Sequence, residues 1–375
     1  MRKAWIAAAA ISLVAASGAS AQEYDETRNW LGAYGQTQKD WTDPEETTGV
    51  VALSAENLAR SLQEPDKLAS RNPVYQHHTW PFAGDPDRAT WAGQKIPLEF
   101  ACPSGIKLDG TVWAPNAAML AASGFSAPLP GVVINEGFMG TQPMYYWAAQ
   151  GLAEAGYMVL TFDTPGQGSS ESGSCGEAAL KTAVDFFTSN QNPLRSQLDV
   201  DRIGTAGHSA GASAVQSLGD YGGRVKAISA WSDLGSSYSG SAPIQGQGAD
   251  YESWILPPTP TPNSSSEGKL RGYDAQKARG IDTQEIVIES GSHLAWSHVT
   301  WSYTSTWSEE IALHYALAWF DRYLAADHVR DGKSATARLK ENHESVESPG
   351  HGLSKKYASA YHLDGVECRN MVAGC

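Results

Sequence analysis

From Pro97 onwards, short apolar runs alternate with longer amphipathic ones. The apolar runs Leu98–Ala101, Gly110–Trp113, Gly131–Asn135, Met158–Phe162, Arg202–Ala206, Val225–Ala230, Pro243–Gly248 and Glu285–Glu289 predict strands. Several are continuous in Val and Ile, as expected of strands covered on both faces. Helices are predicted between them at Met144–Ala155, Glu177–Thr188, Ser209–Leu218, Glu267–Arg279 and Ser308–Leu324. Strand–helix alternation implies βαβ crossovers, and so an α/β class with a mostly parallel, twisted sheet of about eight strands and helices on both faces.

The N-terminal part reads differently. Arg2 and Lys3 precede an apolar run from Ala4 to about Ala16, and Ala19-Ser20-Ala21 follows as a small-x-small site. This predicts a secretory signal peptide over 1–21, since the run is shorter than the ~20 residues of a membrane span. Residues 22–95 are polar and weakly periodic and predict an extension laid on the main domain, with one helix at Ser54–Leu62. The main domain is expected over 96–327 and a C-terminal tail over 328–375. Pro257 to Pro262 and the serines after it read as a surface loop.

Charge narrows the function classes. Asp and Glu outnumber Lys and Arg 41 to 27, for a net charge of -14, which disfavours nucleic acid and anionic membranes as partners. The four cysteines, Cys102, Cys175, Cys368 and Cys375, fit two disulfides in an exported protein. Cys368 and Cys375 suit a local staple, which leaves Cys102 for Cys175. No Cys-x-x-Cys supports a metal site, and no cofactor is implied.

The candidate chemistry begins at Gly207-His208-Ser209-Ala210-Gly211. Such a pentapeptide is weak evidence alone, but this one follows a strand and opens a helix, the setting in which a tight turn exposes a serine hydroxyl. A general base is expected on the same sheet edge, at the C-terminal ends of the strands. His293, just past Ile286-Val287-Ile288-Glu289, meets that requirement, with His298 in reserve. The orienting acid should end the preceding strand: Asp250 comes first, with Glu252 and Asp233 as alternatives. Backbone amides of Ala210 and of Phe138 (or Met139) would form an oxyanion hole. Trp231 and Trp296, with Phe138, are candidate substrate-binding aromatics on loops around the serine, as are Trp254 and Trp301.

At these residues the chain resembles the α/β-hydrolase family. The serine pentapeptide, the Phe162-Asp163-Thr164-Pro165-Gly166-Gln167-Gly168-Ser169 segment and Gly291-Ser292-His293 fall in the family's order across roughly Pro97–Asp327. Gly137-Phe138 and Ala230-Trp231 look most like the dienelactone-hydrolase and bacterial cutinase-like, polyester-hydrolase branch. Glu136 departs from it, standing where many relatives carry His or Pro. The resemblance implies a secreted serine hydrolase that cleaves small or polymeric carboxylic esters through an acyl-enzyme, without metal or organic cofactor. A serine peptidase or amidase on the same fold, and a catalytically silent binding module, are the competing expectations.

Overall fold

The structure, a computed structural model, describes residues 93–138, 140–232, 234–251, 266–293, 295–297, 307–346 and 349–375. The predicted signal peptide and the helix at Ser54–Leu62 lie outside the described residues. Ten strands form one sheet: β1 (Gln94–Ala101), β2 (Lys107–Ala114), β3 (Leu129–Asn135), β4 (Met158–Phe162), β5 (Leu198–His208), β6 (Val225–Trp231), β7 (Ile244–Tyr251), β8 (Thr283–Ser292), β9 (Ala360–Leu363) and β10 (Val366–Cys368). Their order is β1-β2-β4-β3-β5-β6-β7-β8-β9-β10. The six strands from β4 to β8 are parallel, and an antiparallel pair is added at each edge.

Eight predicted strands are present, but the sheet has ten. The extra two come from the segment read as a tail. Asp364-Gly365 joins them as a two-residue hairpin, both residues at positive φ (51° and 76°). An Asp-Gly connection of this kind matches the right-handed twist of the flanking strands. The tail is also held by a buried charge cluster, in which Arg330 and Arg338 both donate to Asp321 Oδ2 at 2.6 Å, while Tyr157 donates to Oδ1 at 2.8 Å. Within the segment 328–375, β9 and β10 thus extend the main sheet, and Arg330 and Arg338 are tied to Asp321.

Among the described residues the α-helices are α1 (Ala117–Ser123), α2 (Tyr146–Glu154), α3 (Ala179–Thr188), α4 (Ala210–Leu218), α5 (Ser266–Lys269), α6 (Arg271–Ala278), α7 (Ser308–Leu324) and α8 (Ala335–Lys340). The single helix predicted over Glu267–Arg279 is interrupted at Leu270, which packs with Tyr273 and Ala360 in a small cluster of its own. Helix α1 was not predicted; Asn116 Oδ1 caps it by accepting from Met119 N, and Gly124 ends it in the left-handed region.

Period-two alternation divides the core. In β3, Val132 and Ile134 face α2 and α7, whereas Val133 faces the α3 and α4 side. Covering both faces explains why these strands read as continuous apolar runs. It also leaves the C-terminal strand ends as the open edge where side chains can meet a ligand.

Two disulfides are present, Cys102–Cys175 and Cys368–Cys375, separated by 73 and 7 residues. Loop-closure entropy predicts a stabilisation of about 4 kcal/mol for the first and about 2 kcal/mol for the second. Removing Cys102 and Cys175 together should therefore lower the thermal midpoint more than removing Cys368 and Cys375. Calorimetry on the two double variants checks the ranking, and equal or reversed losses would contradict it.

Candidate active site

Ser209 occupies the N-cap position of α4 with φ 57° and ψ -114°, a region that L-residues seldom adopt. The turn is tight enough to need glycine on both sides. A Cβ at Gly207 would lie 2.4 Å from Gly211 O, and one at Gly211 would lie 2.2 Å from Asn135 O. The turn is secured from the neighbouring strand, as Ser209 N donates to Trp231 O at 3.1 Å.

The structure brings Ser209 and His293 together. Ser209 Oγ lies 2.9 Å from His293 Nε2, and His293 is buried in the turn after β8. On the other side of the ring, Nδ1 lies 2.9 Å from the Ser232 hydroxyl. Ser232, just past β6 and at φ 77°, went unrecognised in the sequence because a serine after Trp231 carries no motif. Asp250 is the penultimate residue of β7, and the Tyr251↔Ser292 pairing sets this strand end beside the residue before His293. The Asp250 side chain and the alternatives Glu252 and Asp233 lie outside the described residues, as do Met139, His298, Trp254 and Trp301.

A second chain of hydrogen bonds runs behind this pair. His208 Nε2 lies 2.7 Å from His293 O, a carbonyl that can only accept, so Nε2 carries the proton. His208 Nδ1 then accepts from Tyr145 OH at 2.9 Å, and Tyr145 OH accepts from Gly137 N at 3.0 Å. Burial pushes the Tyr145 phenol well above its ordinary pKa, keeping the hydroxyl available as a donor. The loop after β3 is thereby tied to the turn that carries His293. Tyr145→Phe should leave the Gly137 amide and the His208 nitrogen unpartnered, costing about 1–3 kcal/mol. Urea denaturation tests this, and an unchanged midpoint would exclude a structural role for the hydroxyl.

Phe138 and Ala210 line one cleft of about 600 Å³, with Glu136, Thr164, Pro165 and Leu218 among its other walls. Ala210 is the first residue of α4, so its amide is one of the donors a helix leaves unpaired at its N-terminus. Phe138 is 68% exposed. Trp231 and Trp296, in contrast, are fully buried, which corrects their expected place in a substrate wall. The Trp231 indole donates to Ser229 Oγ and that of Trp296 to Gln247 Oε1, both inside the core. Their polar ends are satisfied there, and the rings fill space behind the site.

The segment after β4 is braced from within. Asp163 accepts from Gln142 N and Ser169 N, and a Cβ at Gly168 would collide with its carboxylate. Residues 104–241 match the PETase family model, described as PET hydrolase-like. This PET hydrolase-like segment contains Ser209, Phe138, Ala210 and Trp231, while Asp250 and His293 follow it. No curated protein matches the chain.

Among the described residues, His314, Glu341 and His343 bring three metal-ligating atoms within 4.8 Å of one another. Their two imidazoles stack face to face at 3.6 Å and 2°, so the in-plane lone pairs run side by side without converging. Glu341 is moreover paired with Lys333. The group therefore reads as a packed polar cluster and not as a metal centre.

Proposed function

We propose that the chain is an exported serine hydrolase that cleaves carboxylic esters, polyesters included, through an acyl-enzyme. The observation that carries this reading is the 2.9 Å contact between Ser209 Oγ and His293 Nε2, on a turn whose backbone strain thrusts the hydroxyl out of the sheet. The PET hydrolase-like match over 104–241 supports ester cleavage, and the exposed Phe138 ring offers an apolar contact for a bulky or polymeric substrate. Two disulfides fit export, and among the described residues no helix is long and apolar enough to cross a membrane.

The mechanism follows from the contacts. With the His293 proton on Nδ1, Nε2 takes the Ser209 proton as Oγ attacks the ester carbonyl. The amides of Ala210 and Phe138 receive the negative charge that develops on the carbonyl oxygen. The imidazolium then protonates the departing alkoxide, and water repeats the sequence in reverse to free the acid. Asp250 holds the imidazole and balances its charge.

A panel of p-nitrophenyl esters and amides, run with fluorophosphonate labelling and an aromatic polyester film, tests the proposal. Label on Ser209 with ester turnover and little amide turnover is the expected result. Amide turnover of similar size would favour a peptidase or amidase, and absence of label a binding module.

A further inference from the structure

We propose that Glu136 is a positioning residue of this hydrolase site. As the neutral acid it braces the oxyanion loop, and its ionisation opposes the anion that forms when Ser209 attacks. The proposal rests on the reading of Ser209 as nucleophile.

Glu136 follows β3 and stands two residues before Phe138. It is 1% exposed, yet it belongs to the wall of the cleft that Phe138 and Ala210 share. Its two carboxyl oxygens differ. Oε1 accepts from the Thr164 amide at 2.5 Å and from Gln167 Nε2 at 3.0 Å, fastening the oxyanion loop to the segment after β4. Oε2 is buried and, among the described residues, has no hydrogen-bond partner. The Glu136 carbonyl lies against the serine turn, 2.6 Å from where a Cβ on Gly211 would sit. Glu136 thus shares one cleft with both proposed oxyanion donors, and a charge on it would act on that cleft.

Among the described residues, the charged and titratable groups around it give that charge no counterion. Asp163, at the end of β4, is negative when ionised and is itself pushed up by burial. Lys181 on α3 lines the same cleft but is committed to Glu177 and Asp185. On the Gly137 side stand Tyr145, held as the neutral phenol, and His208, whose nitrogens serve Tyr145 and the His293 carbonyl. A buried carboxylate with one bare oxygen and no cation is costly, and the group takes a proton instead. Burial accordingly pushes Glu136 up to about 8.

Since the folded pKa is raised, the native state binds the extra proton between its ordinary 4.5 and about 8. Stability from this group is full below that window and is lost as pH rises through it. A negative charge beside the oxyanion should also slow acylation by about tenfold or more, given the Coulomb energy over several ångströms in a partly desolvated site.

Glu136→Gln removes the ionisation and keeps a carbonyl oxygen for Thr164 and Gln167. Thermal midpoints of wild type and variant would be measured across the window, together with acylation rates on a neutral p-nitrophenyl ester. The variant is expected to gain on the wild type in midpoint as pH rises, and the wild type alone to show a falling acylation limb near pH 8. A midpoint difference independent of pH, or the same falling limb in both enzymes, overturns the proposal. Diverging midpoints with no acylation at any pH would instead overturn the reading of Ser209, and with it the catalytic half of the proposal.

Discussion

Ser209→Ala is expected to lower kcat by roughly 10⁴- to 10⁶-fold while leaving the fold intact. The hydroxyl supplies the attacking atom, and the other hydroxyl described against His293, that of Ser232, lies on the far, Nδ1 side of the ring. Folding should be little affected. The strained φ of 57° is imposed by the turn and is as accessible to alanine as to serine, and the backbone bonds to Trp231 and Ser213 do not involve the side chain. Circular dichroism and the thermal midpoint separate loss of chemistry from loss of structure. A variant that keeps more than a tenth of the activity would remove Ser209 from the mechanism.

The parallel core was legible in the sequence because strands covered on both faces must be apolar throughout, as Val132, Val133 and Ile134 are. The serine turn was legible for a related reason: its glycines answer to backbone crowding, a local constraint that leaves a local trace. The edge strands β9 and β10 were harder to see. They are short, four and three residues, and their one signal was the Asp364-Gly365 pair. Trp231 and Trp296 were misplaced for the opposite reason. An aromatic residue near a strand end can face either the cleft or the core, and the decision lay with Ser229 and Gln247, polar partners on neighbouring positions of the sheet. Contacts that join distant segments, such as Ser232 to His293 and Glu136 to Thr164, leave no spacing rule to read.

Asp250→Asn should depress kcat by roughly 10³- to 10⁴-fold with a much smaller effect on KM. The Tyr251↔Ser292 pairing sets the end of β7 beside the His293 turn, where a carboxylate would both fix the tautomer with the proton on Nδ1 and stabilise the imidazolium. An amide keeps the shape but loses the charge, so the penalty falls on the step in which the imidazole becomes a cation. Ser232 already meets Nδ1 at 2.9 Å, but a neutral hydroxyl can orient the ring without balancing a full positive charge. Ser232→Ala should therefore cost only about tenfold, the scale of one neutral hydrogen bond. Glu252→Gln should cost less still, since with Asp250 as the acid the Glu252 carboxylate would act on the ring only through screened charge. Comparing kcat across the three variants decides the assignment. A crippled Glu252→Gln beside an active Asp250→Asn would move the acid two residues along the chain. A crippled Ser232→Ala with both carboxylate variants active would give the orienting role at Nδ1 to the hydroxyl.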